Sequence, residues 1–374
     1  MSEPIKVLFF VDRMLRGGIQ SLVIDWVSRF DKNKIQVDFL LLDDGKKYEL
    51  EDTLKELGCK IYKLDGVWIR KPSDFIKQAK SLDEFFKVHH DYKVVHLHSS
   101  SKNYLVLKYA QKYDIPVRIA HSHNIDFQTK NILKKIYGNF LKPKLIKYST
   151  DFFSCSKLAG RWLFGDDIVS TDKFKIIHNA VDFQKFQFNK STREQKRKEL
   201  NILNDQLVIA NVGRFSKQKN HEFLIDIFYE IQKQKSNSVL VLVGTGELEE
   251  IIKDKVKELG IDKKVIFTGF RNDVSELYQA FDVFLMPSLH EGLPVVGVEA
   301  QASGLPCFMS KDVITDEVKI ADNLTFIPLE KKPKEWADLI LSSDLQRKNN
   351  YNCFKKSEYF IEDTTKKLSD FYLK

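Results

Sequence analysis

Apolar residues in this chain gather in short dense blocks, and longer mixed stretches fill the spaces between them. A parallel sheet covered on both faces calls for such blocks, because neither side of its strands meets water. In the first half the blocks are Ile5–Val11, Ile35–Leu42, Lys60–Leu64, Val94–Leu97, Val117–His121, Phe152–Ser154 and Lys175–Ile177. In the second half they are Leu207–Val212, Val239–Val243, Val265–Phe267, Val283–Ser288, Pro306–Met309 and Leu324–Ile327. Helices are predicted between them, over Ile19–Phe30 and Asp273–Phe281, from His221 onward, and from Pro294 to Gly304. The tail from Trp336 is also helical in pattern. Strand and helix in alternation predict an α/β chain built on parallel sheets.

The chain has 374 residues, enough for two or three domains. Residues 183–205 are polar and charged and read as a linker with a surface helix. No apolar run approaches the ~18 residues of a membrane span, and the N-terminus leads straight into a strand, without a signal-peptide core. Cys59, Cys155, Cys307 and Cys353 are scattered, with no C-x-x-C pair, which argues against a zinc site or disulfide frame and for a cytoplasmic setting. The net charge of +8 sits entirely in the first half: residues 1–180 carry 31 Lys+Arg against 22 Asp+Glu. A basic half suggests an acidic partner. No nucleic-acid signature accompanies it, so a phosphorylated substrate or an anionic membrane fits better.

Candidate chemistry lies at the ends of the strand blocks. Gly17-Gly18 follows the first strand, where α/β sheets bind ligands, although a plain turn would read the same way. Arg13 and Arg16 bracket the pair and are candidates for an acceptor phosphate. His121 and His123 end a strand and face one way; a zinc role would need a third ligand, which the sequence does not point to. Arg214 and Lys219 place two cations after a strand, as a diphosphate leaving group requires. Gly244-Thr245-Gly246 is too short for the dinucleotide fingerprint. In His290-Glu291-Gly292-Leu293-Pro294-Val295, a strand, a tight turn and a helix start make an anion site from N–H groups. Glu291 and Glu299 flank it as acceptors for sugar hydroxyls. Ile132, Leu133, Ile136, Tyr137, Phe140 and Leu141 recur at helical spacing among Lys130, Lys134, Lys135, Lys142, Lys144 and Lys147. The ordinary reading packs the apolar face on the sheet; the functional one rests residues 130–147 on anionic lipid.

The Glu291-x7-Glu299 spacing with Gly-Leu-Pro after the first Glu, the Gly213-Arg214…Lys219 segment and His178-Asn179-Ala180-Val181-Asp182 together resemble the retaining glycosyltransferases of family four. Arg118-Ile119-Ala120-His121-Ser122-His123-Asn124 is similar to their polysaccharide-type members. The resemblance covers nearly the whole chain. It implies the GT-B plan, two Rossmann-like doubly wound lobes facing across a cleft. The lobes would span 1–182 (acceptor) and 206–345 (nucleotide sugar), with 183–205 as linker and 346–374 returning to the first lobe.

The resemblance also implies roles. Arg214 and Lys219 would bind the diphosphate, helped by the backbone at Gly292 and Leu293, with Pro294 and Val295 beside them. Glu299 would hold the ribose and Glu291 the donor sugar. Gly18 would line the cleft, and Gly269, Phe270 and Arg271 would meet the base. His121, with His123 as fallback, would lie beside the transferred sugar. Ala180 stands where the family has Gly, so that turn should not need positive φ. The implied activity is transfer of a hexose or N-acetylhexosamine from a nucleotide diphosphate, UDP being the usual donor, to a lipid-linked or free saccharide in capsule or exopolysaccharide synthesis. No cofactor is implied, and the absence of Asp-x-Asp predicts no metal requirement. An epimerase or phosphorylase of the same plan, or a non-catalytic nucleotide-sugar-binding subunit, are the alternatives.

Overall fold

The computed structural model describes residues 3–15, 17–64, 72–125, 127, 131–291, 293–314 and 316–374. Arg16, Lys130 and Gly292, named above as candidates, lie outside them. The chain divides into two units, residues 1–180 with 361–374 and residues 181–360.

In the first unit the strands are β1 (Ile5–Val11), β2 (Ile35–Leu42), β3 (Ile61–Leu64), β4 (Val94–Leu97), β5 (Val117–Ser122), β6 (Asp151–Ser154) and β7 (Phe174–Ile176). They form one parallel sheet in the order β3-β2-β1-β4-β5-β6-β7. The dense apolar blocks have the cause inferred for them. Along β1, Val7, Phe9 and Val11 enter one core while Leu8 and Phe10 enter the other, as period-two alternation requires when both faces are covered. The helix Ile361–Leu373 belongs to this unit, with Ile361, Leu368 and Tyr372 in the same core as Phe9 and Trp26.

The second unit holds β8 (Leu207–Val212), β9 (Ser238–Val243), β10 (Val265–Gly269), β11 (Val283–Met286), β12 (Cys307–Ser310) and β13 (Leu324–Ile327). Their order is β10-β9-β8-β11-β12-β13, again parallel. Polar residues 183–205 are not a bare linker. The helix Lys190–Glu199 buries Lys196 and Arg197. Arg193 and Arg197 donate to the carbonyls that end the helix Val274–Ala280 and pair with Asp282. Charged side chains were read as surface, but here they cap a helix C-terminus, which favours cations.

Two local expectations change. Pro294 is not in the first turn: the helix runs Val295–Ala302 and Pro294 is its N-cap, with φ −75° and ψ 98°. In the helix Ile132–Tyr148 only Leu141 of the six apolar residues singled out is buried; Ile132, Leu133, Ile136 and Phe140 are exposed, and Gly138, Leu141 and Leu145 pack inward. The apolar face therefore does not lie on the sheet. Ala180 is not among the residues with positive φ, in keeping with the expectation for that turn.

One packing constraint is testable. Gly244 has φ +135°, and a Cβ there would meet the Gly213 carbonyl oxygen at 2.1 Å. Gly244→Ala should cost more than about 2 kcal/mol in unfolding free energy, since both strain and overlap oppose it. Gly18→Ala, where a Cβ meets nothing within 4 Å, should change stability by less than about 0.5 kcal/mol. Chemical denaturation of the two variants compares them.

Candidate active site

In each sheet the strand order reverses direction once, beside β1 and β4 in the first unit and beside β8 and β11 in the second. Loops leaving neighbouring strands part at such a point, and ligands bind outside the strand carboxyl ends there. The charged and polar candidates collect at these two places.

In the second unit the loop after β8 is tied to the loop after β11. Gln218 O accepts from Leu289 N at 2.8 Å, Asn220 Nδ2 donates to Pro287 O at 3.0 Å, and Gln218 Nε2 donates to His290 O at 3.0 Å and to Glu291 Oε2 at 3.2 Å. Asn220 takes the left-handed conformation, φ 53°, that lets the helix His221–Gln234 begin immediately. These ties bring Lys219 Nζ to 2.7 Å from Glu291 Oε1, with side chains only 15% and 7% exposed. The stem of Lys219 runs over Gly213. Gly213 and Phe215 are in turn bonded to Val243 and Thr245, and Gly244 N donates to Gly269 O. Gly244-Thr245-Gly246, set aside in the sequence, thus allows close backbone approach beneath the cation loop: a Cβ at Gly246 would meet Phe215 O at 2.3 Å.

The other candidates of this unit have separate partners. Arg214 is largely exposed and pairs with Glu247 at 3.1 Å. Glu299, on the Val295–Ala302 helix, accepts from the buried Tyr278 hydroxyl at 3.3 Å. Gly269 has φ +68°, and Phe270 after it is exposed. The Arg271 guanidinium is held by Glu199 and Asp273, both at 2.6 Å, which leaves only its backbone for the role expected of it. Leu293 and Val295 are half-buried beside Pro294.

The first unit holds a pocket of about 320 Å³ at its own reversal point, within the usual range for small ligands. Asp12, Gln20, His98, Ser99, Asn103, His121 and His123 supply polar groups to it. Gly18 begins the helix beside Ile19 and Gln20 of its wall, while Arg13 pairs with Asp44 at 3.3 Å. Ser99 Oγ and Asn103 Nδ2 donate to Asp12 Oδ1 at 2.6 and 2.8 Å; burial raises the Asp12 pKa above its ordinary value. His121 is stacked between Trp26 and His96. His96 Nε2 lies 3.0 Å from His121 Nδ1, and His96 Nδ1 lies 2.6 Å from the Tyr372 hydroxyl. His98 Nδ1 is 3.1 Å from His123 Nε2, and His123 Nδ1 is 3.0 Å from Asn179 Oδ1. Burial holds all four rings neutral: His96, His98 and His121 are pushed well below the usual histidine range and His123 to about 4.

His96 and His98 are the residues that sequence reasoning missed. The signal was present: β4 and β5 both end in His-x-His, and adjacent parallel strands put such pairs side by side. His96, His98 and His121 bring one nitrogen each within 4.8 Å of one another, near enough for a metal ion. This trio was not foreseen. Hydrogen bonds account for both nitrogens of His96 and for Nδ1 of His121; the His96 and His121 rings lie 9° from parallel, and His98 is tilted to them by 30° and 38°.

Two parallel α/β units, each with polar groups at its switch point, have the form of doubly wound ligand-binding folds. Residues 16–185 match the family model "Glycosyltransferase Family 4", and residues 192–362 match "Glycosyl transferases group 1". EpsF of Bacillus subtilis, which bears a glycosyltransferase name, is 31% identical over 342 residues, 91% of this chain and 88% of that protein. The chain belongs to the glycosyltransferases of family four. An Escherichia coli UDP-Gal:alpha-D-GlcNAc-diphosphoundecaprenol alpha-1,3-galactosyltransferase is 31% identical over 241 residues, 63% of this chain and 62% of its own. CapH of Staphylococcus aureus, a capsular polysaccharide biosynthesis glycosyltransferase, is 26% identical over 99% of both chains. Among solved structures, Anabaena Alr3699/HepE in complex with UDP and glucose shares the fold, with a TM-score of 0.75 at 18% identity over 98% of this chain and 99% of that one.

Buried neutral histidines have a consequence for stability. His123 and His221 each have a folded-state pKa near 4 against 6.5 when free. The unfolded chain binds these protons first as pH falls, so stability should drop from about pH 6.5 toward 4, by about 1.4 kcal/mol per unit for each ring. Denaturation between pH 7 and 5 measures this; no loss of stability there would mean the rings already carry charge.

Proposed function

We propose that this protein is a retaining, metal-independent hexosyltransferase that takes a hexose or N-acetylhexosamine from a nucleotide diphosphate, UDP in the first instance, and adds it to a lipid-linked saccharide in capsule or exopolysaccharide synthesis. The observation that carries the reading is the Lys219–Glu291 pair at the β8/β11 switch point. A cation and a carboxylate held together there suit the two parts of a nucleotide sugar. Lys219, joined by Arg214 once it leaves Glu247, neutralises the diphosphate. Glu291 accepts from the sugar hydroxyls, Glu299 from the ribose, and the backbone N–H of Leu293 adds to the phosphate site. Charge on the leaving diphosphate grows as the glycosidic bond breaks, so this clamp stabilises the transition state more than the ground state. The leaving phosphate takes the acceptor proton, and attack comes from the same face. The pocket of the first unit, with His98 and His121, serves the saccharide. The galactosyltransferase relative supports a UDP donor and a diphosphate-lipid acceptor, and CapH supports the capsule setting.

Lipid-linked acceptors require a membrane. No helix among the described residues is long and apolar enough to cross one. The helix Ile132–Tyr148 instead exposes Ile132, Leu133, Ile136 and Phe140 alongside Lys134, Lys144 and Lys147. We assign this face to an anionic membrane surface, which places the protein peripherally on the cytoplasmic side. Apolar side chains enter the headgroup boundary and each lysine adds about 1 kcal/mol.

Two measurements test these readings. Lys219→Ala should lower turnover by ~10²–10³ with a smaller effect on donor KM; unaltered turnover would remove the clamp. In flotation, the protein should rise with anionic but not neutral liposomes, and Leu133→Ser/Phe140→Ser should stay behind. Equal, negligible binding to both liposomes would end the membrane assignment.

A further inference from the structure

We infer that Asn179 is a positioning residue: acting through His123, it sets the tautomer of His98 so that His98 Nε2 offers a lone pair to a saccharide hydroxyl in the pocket of the first unit. This rests on the proposed function for the identity of the hydroxyl, but the relay itself stands on geometry.

A neutral imidazole has one donor nitrogen and one acceptor nitrogen. Asn179 Oδ1, 3.0 Å from His123 Nδ1, can only accept, so His123 Nδ1 carries the proton. His123 Nε2 is then an acceptor. His98 Nδ1, 3.1 Å away, must donate to it. That leaves His98 Nε2 as a bare lone pair. It is buried, and it has no hydrogen-bond partner among the described residues. Burying an acceptor unsatisfied is costly, so a site that keeps one has a donor to receive. His98 lines the pocket with Asp12, Ser99 and Asn103, a polar wall suited to a polyol.

The neighbouring pair of histidines is anchored by a hydroxyl, which can donate or accept. The Tyr372 hydroxyl is buried and its contact is His96 Nδ1. His96 Nε2 in turn lies 3.0 Å from His121 Nδ1, so the proton positions of this pair follow whichever way the Tyr372 hydroxyl turns. Asn179 lies in the His178–Asp182 motif, whose side chain otherwise has no part in the transfer reaction described above.

Nitrogen-15 NMR of histidine-labelled protein without substrate distinguishes protonated from bare ring nitrogens, with signals assigned by single His→Gln variants. In the wild type His98 Nε2 should be bare and Nδ1 protonated. Asn179→Leu should give a mixture at His98 and lower kcat/KM about tenfold, the worth of one hydrogen bond. Asn179→Asp, which keeps an acceptor, should retain the wild-type tautomer. A protonated His98 Nε2 in the wild type, or an unchanged His98 tautomer in Asn179→Leu, would overturn the relay. The wild-type measurement decides the matter even if Asn179→Leu fails to fold. Expected tautomers in a protein that transfers no sugar would support the relay and sink the functional reading alone.

Discussion

Parallel pairing of every strand is the constraint from which the rest of this structure follows. A strand in such a sheet must be reached by a crossover, so helices cover both faces and leave the carboxyl edge as the place where loops can hold a ligand. Each unit obeys this separately. Loops leaving β1 and β4 part in opposite directions and make the pocket of the first; those leaving β8 and β11 meet around Lys219 and Glu291 in the second. The apolar blocks are therefore not only core: their alignment decides which polar residues end side by side.

At both edges, burial governs the chemistry. Four histidines at the ends of β4 and β5 are enclosed deeply enough that burial holds them below the usual histidine range. Lys219 and Glu291, nearly as enclosed, lie against each other at 2.7 Å. Removing one partner alone leaves a poorly solvated charge, which is why neither residue behaves as a surface ion.

Charge that looks alike in sequence takes different roles once packed. Arg193, Arg197 and Arg347 converge on the carbonyl end of the helix Val274–Ala280, and Arg271 is locked among carboxylates. These are structural cations. Lys134, Lys144 and Lys147 of the helix Ile132–Tyr148 are exposed on the same helix as Leu133 and Phe140, whereas Lys142 donates to the Trp162 carbonyl. A single count of basic residues could not separate the two groups.

The sequence by itself determined the strands. The thirteen strands among the described residues lie where dense apolar blocks fall, because burial on both faces leaves no other composition for them. It also placed Lys219, Glu291 and His121 at strand ends, from the turn and helix signals around them. It did not determine which strand ends are neighbours. Sheet order is set by crossovers between distant segments, so although both His-x-His pairs could be read in the chain, the joining of His96 to His121 and of His98 to His123 followed only from β4 lying beside β5. Helical periodicity likewise said that Ile132, Leu133, Ile136 and Phe140 share a face, but only the packing of Gly138, Leu141 and Leu145 inward decided that this face looks to solvent. Local pattern is a property of neighbours along the chain; contact between strands and the outward turn of a helix are properties of the folded whole.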